Sequence, residues 1–452
     1  MLLKQRGFRL RAVAVWCVVA LLAGCGGGGG GSGGGAFLAL PPAAQPQPQP
    51  VSTYVVGGAV LGLEGTVVLQ NNAGDDLTIS ADGTFTFKGT LNKDAAYDVT
   101  VRSQPLWQNC TVSNGKATAT ADVADVSVSC SVALASVSTF AGSGVNDEID
   151  GGAAVAAFSE PLGVAFEQGG GLVVSQGSGR VRRVSPAGDV SALATIGNAF
   201  VGLGGIAAAP SGNFYAGQCH QVNNQATVQQ VTPAGVVSIF AGAQFGTSDG
   251  TGAAASFVCP FGIAVDAGNF IYVADQQAHT IRKISPGGDV ITLAGQALVG
   301  SYVDATGTAA AFNNPKGIAV DSAGTLFVAD LSNRRIRKIT PDGVVSTLAG
   351  SGANGSDDGA ADVASFTAPS GIALDRTGAV YVTDGNLLRR VSATGKVTTL
   401  AGQPGVASAV NGVGTVATFN GPVGLAIRDD GTIYIADRLN NVIRQVTPVP
   451  AP

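Results

Sequence analysis

The feature that most constrains the fold is a segment of about 53 residues that recurs along most of the chain. Five copies carry the tripeptide Phe-Ala-Gly or Leu-Ala-Gly, and a degraded sixth keeps only Leu-Ala. The copies begin at Phe140, Leu193, Phe240, Leu293, Leu348 and Leu400. A unit of this size cannot bury its apolar residues alone, so the period predicts units that stack on one another.

The five clear repeats share a second signature, in which an Asp or Asn precedes a Phe and a Pro follows it at fixed spacing. A glycine two residues beyond each Pro opens an apolar stretch. The recurring residues are Asp150, Asp249, Asp304, Asp358 and Asn411; Phe158, Phe257, Phe312, Phe366 and Phe419; and Pro161, Pro260, Pro315, Pro369 and Pro422. We interpret the Phe as an anchor between adjacent units. The Asp-Gly pairs suit turns better than calcium loops, because they lack alternating oxygen ligands.

One repeat shows the strand pattern within a unit. Residues 317–321 are continuously apolar, as expected of a strand that is buried on both faces. Residues 325–330, 335–340 and 344–349 follow, with Ser-Ala-Gly and Pro-Asp-Gly turns among them. The pattern predicts four antiparallel strands in each unit.

The strand sequences of this repeat are Gly-Ile-Ala-Val-Asp, Leu-Phe-Val-Ala-Asp and Arg-Ile-Arg-Lys-Ile, which begin at residues 317, 326 and 335. They resemble the NHL-repeat blades of bacterial proteins. The resemblance implies a six-bladed β-propeller with an axial channel, which we place at residues 136–449. The fold class is therefore expected to be all-β.

The two ends of the repeat region complement each other. Residues 137–141 form an outer strand with no inner strands before it, and the last unit, at 424–447, lacks an outer strand. We therefore expect the first strand to complete the sixth blade and close the ring, because an open ring would leave unpaired sheet edges.

The second blade departs from the pattern. It lacks the Asp, Phe and Pro signature, and it has an enlarged loop at 219–226 after its second strand. Cys219 lies in this loop, and Cys259 lies in the crossover to the next blade. The loop and the crossover emerge on the same face of the ring. A disulfide between them is expected, and the alternative is a metal or reactive-thiol site with the adjacent His220.

The first 25 residues have the pattern of a bacterial lipoprotein signal. Basic residues precede a short apolar run, which is too short to span a membrane. The run ends in Leu-Ala-Gly-Cys, which resembles a lipobox with Cys25 as the lipidated residue; an ordinary cleaved signal is the alternative. Residues 26–51 are rich in Gly, then in Pro and Gln, and we expect a tether. Gly26 favours delivery to the outer membrane, so we expect an exported protein that touches the membrane through its lipid alone.

Residues 52–133 are expected to form a small immunoglobulin-like β-sandwich, because about seven strand-like segments alternate with Asn, Asp and Gly turns. Four cysteines remain beyond the signal segment, and an oxidising compartment favours disulfides. Three pairings are open to Cys110, Cys130, Cys219 and Cys259. A bridge between the first two closes a short loop and would stabilise the module by about 3 kcal/mol.

Four aspartates end the second strand of their blades, at Asp275, Asp330, Asp384 and Asp437. Together with His220 they outline a possible binding face of the propeller. An Arg follows each Asp at similar spacing, so the alternative is a structural ion pair repeated from blade to blade. A third hypothesis, a ring of carboxylates that binds a cation, is less consistent with that repetition.

The composition separates the function classes. A net charge of −5 without a basic cluster beyond the leader argues against nucleic-acid binding. Two histidines cannot build a three-histidine zinc site, and we identify no catalytic residue, metal ligand or cofactor. We therefore expect a ligand- or protein-binding scaffold whose partner is a protein or glycan of the cell envelope.

Two alternatives remain open. Related propellers include lactonases and lyases that use a metal in the axial channel, and for this chain the acidic residues that end inner strands would be the candidates. These residues are Glu167, Asp266, Asp321 and Asp375. Because they recur as a motif, we interpret them as structural. The other alternative is a purely architectural role in the envelope.

Overall fold

Strands and turns make up nearly all of the part of the chain that the structure describes. The structure is a computed structural model, and it describes residues 51–196, 202–219 and 225–450. Within these ranges the helical segments are five 3-10 turns, at Gly252–Ala254, Gly307–Ala309, Leu331–Asn333, Gly414–Val416 and Arg438–Asn440. The expected signal and tether, with Cys25, lie outside the described residues, as does His220.

Eight strands precede the repeats and form two four-stranded sheets. They are β1 (Thr53–Leu61), β2 (Val67–Asn71), β3 (Asp75–Ile79), β4 (Gly83–Asn92), β5 (Ala96–Ser103), β6 (Gln108–Ser113), β7 (Lys116–Thr118) and β8 (Val123–Val132). The sheet orders are β4-β1-β8-β6 and β3-β2-β5-β7. Alternate residues of β2 and β8 are buried, and both sheets contribute to one apolar cluster that includes Val60, Leu69 and Val128. Cys110 and Cys130 face each other across β6 and β8 and form the expected disulfide.

Six sheets follow, and we call them blades one to six. A single strand, β9 (Ala135–Ala141), comes first. Blade one comprises β10 (Pro161–Phe166), β11 (Leu172–Gln176), β12 (Arg180–Val184) and β13 (Val190–Thr195). Blade two comprises β14 (Gly202–Ala208), β15 (Phe214–Cys219), β16 (Ala226–Val231) and β17 (Val237–Ala241).

The short crossover strands β18 (Gln244–Phe245), β19 (Gly250–Thr251) and β20 (Ser256–Phe257) lead into blade three. Blade three comprises β21 (Pro260–Val265), β22 (Ile271–Asp275), β23 (Thr280–Ile284) and β24 (Asp289–Ala294). Blade four comprises β25 (Pro315–Val320), β26 (Leu326–Asp330), β27 (Arg335–Ile339) and β28 (Val345–Ala349). Blade five comprises β29 (Pro369–Leu374), β30 (Val380–Asp384), β31 (Leu387–Val391) and β32 (Val397–Gly402).

Blade six contains strands from both ends of the repeat region. Its own strands are β34 (Pro422–Ile427), β35 (Ile433–Asp437) and β36 (Val442–Pro448), and β33 (Gly412–Val413) lies at the outer edge. The outer strand β9 pairs with β36 over six residue pairs, from Ile443 opposite Ala141 to Pro448 opposite Ala135. The expected closure of the ring by the first strand is therefore confirmed.

The inner strands of the blades contact one another in a closed circle. Strands β10, β14, β21, β25, β29 and β34 each touch the inner strand of the next blade, and β34 returns to β10. Glycine makes this approach possible: a Cβ added to Gly371 would lie 1.8 Å from the carbonyl oxygen of Val423 in the next blade. Gly262, Gly317 and Gly424 have similar neighbours, with a backbone oxygen at 2.1–2.5 Å. The glycine after each Pro therefore fixes how closely the blades meet at the axis.

A buried arginine in the third strand holds each crossover against its blade. In blade four the guanidinium of Arg337 donates to Asp330 at 2.7 Å and to Asp304 at 2.5 Å, and it lies 5.0 Å from the centre of the Phe312 ring. Arg337 also donates to the carbonyl oxygens of Ala311 and Val303, both at 3.0 Å. The corresponding arginines of blades one, three, five and six are Arg182, Arg282, Arg389 and Arg444, and each lies over its own signature Phe.

The signature residues therefore hold each crossover segment against its blade. The crossover Asp is a counter-ion for the arginine, as well as part of a turn. The Phe packs between two blades as expected; Phe312, for example, joins a cluster with Tyr272 of blade three and Ile318 of blade four. In blade two the signature and the arginine are missing together, and Gln229 donates to Gln218 at 2.8 Å instead. The expected disulfide between Cys219 and Cys259 joins this blade to blade three.

The N-terminal sheets pack directly on blades five and six. Trp107, which is 1% exposed, donates from its indole Nε1 to the carbonyl oxygen of Gly431 at 2.9 Å, and its ring lies 5.8 Å from that of Tyr381. Arg390, buried in blade five, donates to Glu64 at 2.5 Å. If the two parts separated, the buried indole would lose its hydrogen-bond partner and the buried Arg390 would lose its counter-ion, the half-buried Glu64, so both contacts favour this relative position.

Candidate functional site

The inner strands line an axial channel whose two ends differ. We call the end at which inner strands begin the crossover end, and the other the opposite end. Branched aliphatic side chains ring the channel between them and line the cavities at both ends: Val164, Ile206, Ile263, Ile318, Ile372 and Leu425. These six side chains are each 5–7% exposed, because they also pack in the apolar clusters between neighbouring blades.

The opposite end is lined by apolar side chains. The residues that follow the aliphatic ring are alternately small and large, and they include Ala165, Phe166, Ala264 and Leu374. None of the described residues that line this cavity has a charged or hydrogen-bonding side chain, whereas the cavity at the crossover end includes Lys316 and Ser370.

The four aspartates expected on a binding face lie at the crossover end but inside the blades. Asp275, Asp330, Asp384 and Asp437 are 0% exposed. Each accepts hydrogen bonds from backbone N–H groups of its crossover; the N–H groups of Thr367 and Ala368, for example, donate to Asp384 at 2.8 and 2.6 Å. A ligand cannot reach these carboxylates, so a binding face at this end cannot include them.

The pKa values of the four aspartates are raised, because the effect of burial is larger than the opposing effect of the paired arginine. Desolvation raises the pKa of Asp275 to about 6, although backbone N–H groups and Arg282 oppose the rise. Desolvation also raises the pKa of Asp330, Asp384 and Asp437. Asp275 is the most weakly paired of the four, because its oxygen lies 3.8 Å from Arg282, whereas Asp330 lies 2.7 Å from Arg337.

The acidic residues that end inner strands also have structural partners. Asp266, Asp321 and Asp375 accept hydrogen bonds from backbone N–H groups of the turns that follow them, and Glu167 pairs with Arg183. Within the described residues, no group of three or more His, Cys, Asp or Glu side chains could hold a metal ion. No described helix has the length and apolar character needed to cross a membrane.

The crossover end breaks the symmetry of the ring at one position. The residue after the first residue of each inner strand, or its equivalent in blade two, differs from blade to blade: Leu162, Gly204, Phe261, Lys316, Ser370 and Val423. One of these six is charged. Among the described residues that line the crossover end of the channel, Lys316 thus supplies the one ammonium group and Ser370 the one hydroxyl group, and the other lining side chains are apolar.

Lys316 is held by neutral groups. Its Nζ donates to the hydroxyl of Ser370 at 3.2 Å and lies 5.1 Å from the centre of the Phe261 ring. Burial and, to a smaller extent, the charge of Arg438 lower the pKa of Lys316 to about 8. Lys316 remains mostly protonated at neutral pH, and an ammonium in this setting gains from any anion that approaches it.

A recess between blades five and six opens beside Lys316. It has a volume of about 340 Å³ and shares Lys316, Ser370 and Val423 with the channel. Polar lining residues are Thr367, Asn386 and Asn420; apolar ones include Pro404 and Leu439. A volume of this order suits a small organic ligand.

Arg438, which lies at the rim of the recess, is already neutralised. Its guanidinium donates to Glu160 at 2.6 Å, and Glu160 in turn donates its backbone N–H to Asn441 at 3.1 Å. Asp384, whose buried carboxylate lies behind the wall of the recess, is paired with Arg389 at 3.1 Å. The charge of Lys316 is therefore the one left without an ionic partner among the described residues that line the recess.

Lys316, Ser370, Phe261 and Arg438 were not predicted as site residues from the sequence. The residues that recur between repeats were predicted instead, and in the structure these hold the blades together. One sequence feature could have indicated Lys316. The residue between the recurring Pro and the recurring Gly differs from repeat to repeat, and in the fourth blade it is Lys316, between Pro315 and Gly317.

The comparisons with known proteins concern the ring. Residues 144–352 match the family described as the SMP-30/Gluconolactonase/LRE-like region, and residues 351–415 match the family described as the Teneurin NHL domain. The chain is 28% identical over 232 residues to Protein SUPPRESSOR OF QUENCHING 1, chloroplastic, of Arabidopsis thaliana, which covers 47% of the chain and 22% of that protein. It is 29% identical over 231 residues to Teneurin-3 of Danio rerio, covering 45% and 8%. The chain thus spans about a fifth or less of these relatives.

Two solved structures from Bacteroides thetaiotaomicron share the fold. One is a structural genomics protein of unknown function, with a TM-score of 0.57 and 20% identity over 88% of this chain and 98% of the other. The second is an auxiliary nutrient binding protein, with a TM-score of 0.56 and 15% identity over 84% and 90%. The ring of six sheets therefore has a β-propeller fold like that of these structures, and its sequence is similar to the SMP-30/Gluconolactonase/LRE-like and Teneurin NHL families over the residues given above.

Proposed function

We propose that this protein is an exported, lipid-anchored binding protein whose propeller recognises a glycan or protein of the cell envelope at the crossover end of the channel. The observation that carries the proposal is the shape and lining of that end. Apolar residues line most of the channel wall, and mixed polar and apolar side chains line the recess beside Lys316. A recess of this composition is typical of small-ligand sites.

The two disulfides indicate an oxidising compartment outside the cytoplasm. We propose that Cys25 carries the lipid and that residues 26–51 act as the tether. We further propose that residues 52–133 form an immunoglobulin-like β-sandwich and residues 136–449 the six-bladed propeller. A Cys25→Ser variant should leave the outer-membrane fraction for the soluble periplasmic fraction, whereas an unchanged distribution would contradict the lipid anchor.

The match to the SMP-30/Gluconolactonase/LRE-like region favours a second candidate, a propeller hydrolase or lyase that uses a metal in the channel. Metal analysis of the purified protein, followed by lactone-hydrolysis assays with Ca²⁺, Mg²⁺ or Zn²⁺ added, tests this candidate. Metal-dependent turnover that EDTA abolishes would favour the enzyme over the binding protein.

A glycan array tests the binding function. Fluorescently labelled full-length protein with Cys25→Ser is applied to an array of bacterial envelope glycans, and we expect it to bind a subset. Leu439→Trp should fill the recess and abolish this binding. Ile291→Trp is the matched control, because both side chains are 50% exposed but Ile291 lies on an outer strand. Equal binding by both variants would exclude the recess as the site.

A further inference from the structure

The charge at the crossover end indicates which chemical class of ligand fits it. Lys316 is half-buried and makes a neutral hydrogen bond to Ser370 and a cation–π contact with Phe261. No carboxylate of the described residues lies within ion-pair distance of it. An ammonium that is partly removed from water without a counter-ion is costly, so a bound anion would recover the lost solvation.

The charge balance of the recess limits that anion to one negative charge. The other ionic groups at the recess form pairs, Arg438 with Glu160 and Asp384 with Arg389. Lys316 thus leaves an excess of one positive charge. A carboxylate matches this excess, whereas a dianionic phosphate would bring a second charge without a partner.

The remaining lining indicates the body of the ligand. The hydroxyl of Thr367 and the amides of Asn386 and Asn420 alternate with the apolar surfaces of Pro404 and Leu439 around the recess. A sugar ring presents both hydroxyl groups and apolar C–H faces, so it can satisfy the two kinds of lining residue together.

We propose that the recess binds a sugar acid, with its carboxylate on the ammonium of Lys316 and its ring between blades five and six. This inference rests on the proposed binding function and specifies its ligand class. Lys316 donates one of its ammonium protons to the carboxylate while another stays on Ser370. The guanidinium of Arg438, held by Glu160, closes the outer side of the site.

Saturation-transfer NMR and calorimetry with matched sugars test the inference. The probes are D-galacturonate, D-glucuronate and D-mannuronate, each compared with its neutral hexose, which has CH₂OH in place of the carboxylate. A hydrogen bond between charged groups contributes about 1.5–3 kcal/mol. We therefore expect at least one acid to bind about tenfold or more tightly than its neutral partner.

Lys316→Met should remove the preference for the acid, and Lys93→Met, which changes an exposed lysine of the N-terminal sheets, should retain it. If neither the acids nor the hexoses bind, or if the acids bind no better than the hexoses, the inference is wrong. The glycan array separates this failure from a failure of the proposed function: a protein that binds the array through the recess but prefers no acid is still a binding protein.

Discussion

The buried arginines should contribute a measurable part of the free energy of unfolding, and the substitution Arg337→Gln tests this contribution. Arg337 is 0% exposed and donates to two carboxylates and two carbonyl oxygens. Glutamine is too short to reach the crossover, so the substitution would release Asp304 and leave Asp330 buried without its cation.

The expected loss follows from the burial of Asp330. Removing one partner of a buried ion pair costs about 3–5 kcal/mol, because the other charge stays in a low-dielectric site. Asp330 retains two hydrogen bonds, from the N–H of Asn313 and the side-chain amide of Asn333, both at 2.8 Å. These contacts favour the lower half of that range, so we expect about 3 kcal/mol in the free energy of unfolding.

Blade two supplies the control. There Gln218 and Gln229 replace the ionic pair and form a hydrogen bond of 2.8 Å. The double variant Asp330→Gln with Arg337→Gln should therefore recover part of the loss, since it leaves no unpaired charge. Urea denaturation followed by circular dichroism measures both. A loss below about 1 kcal/mol for the single variant, or a double variant less stable than the single one, would refute the reasoning.

Three further predictions concern the ring and its pH dependence. Deleting residues 136–141 should lower the melting temperature sharply, because blade six loses its outer strand; an unchanged melt would reject the closure. Gly371→Ala should cost about 3 kcal/mol through the clash with Val423, while Gly74→Ala, whose nearest neighbour would lie 3.8 Å away, should cost far less. Because the pKa of Asp275 is raised in the folded state, its protonation stabilises the fold below about pH 4, and this stability is lost as the pH rises through about 6. Asp275→Asn should therefore flatten the pH profile of the unfolding free energy between these values. A profile as steep as that of the wild type would contradict this assignment.

Much of the architecture could be predicted from the sequence because it is periodic. The repeat spacing indicated the blades, the unmatched first strand indicated the closure, and the odd second blade indicated the Cys219–Cys259 bridge. Each of these features depends on strand pairing or on contacts that recur in the repeats, so the repeat pattern of the sequence, or a departure from it, was enough to predict the feature. Even so, the partner of the crossover Asp was missed, because the arginine that binds it lies about 33 residues further along the chain.

The candidate site could not be predicted in the same way. Comparing repeats emphasises what they share, and the shared aspartates proved to be buried in the blade walls. Lys316, Phe261 and Ser370 occupy equivalent positions in three blades, but their proximity exists only after the ring has closed. The contact of Trp107 with Gly431 is similar, since no local pattern relates residues that are 324 apart in the chain.

The most direct test of the account is the reactivity of Lys316 in the presence of ligand. Full-length protein with Cys25→Ser is treated with acetic anhydride, and mass spectrometry quantifies acetylation of Lys316 and of the exposed Lys93 as an internal reference. Binding of a sugar acid at the crossover end predicts that a saturating concentration slows acetylation of Lys316 about tenfold or more and leaves Lys93 unchanged. Equal acetylation of Lys316 with and without a ligand that demonstrably binds would place the binding site elsewhere on the molecule.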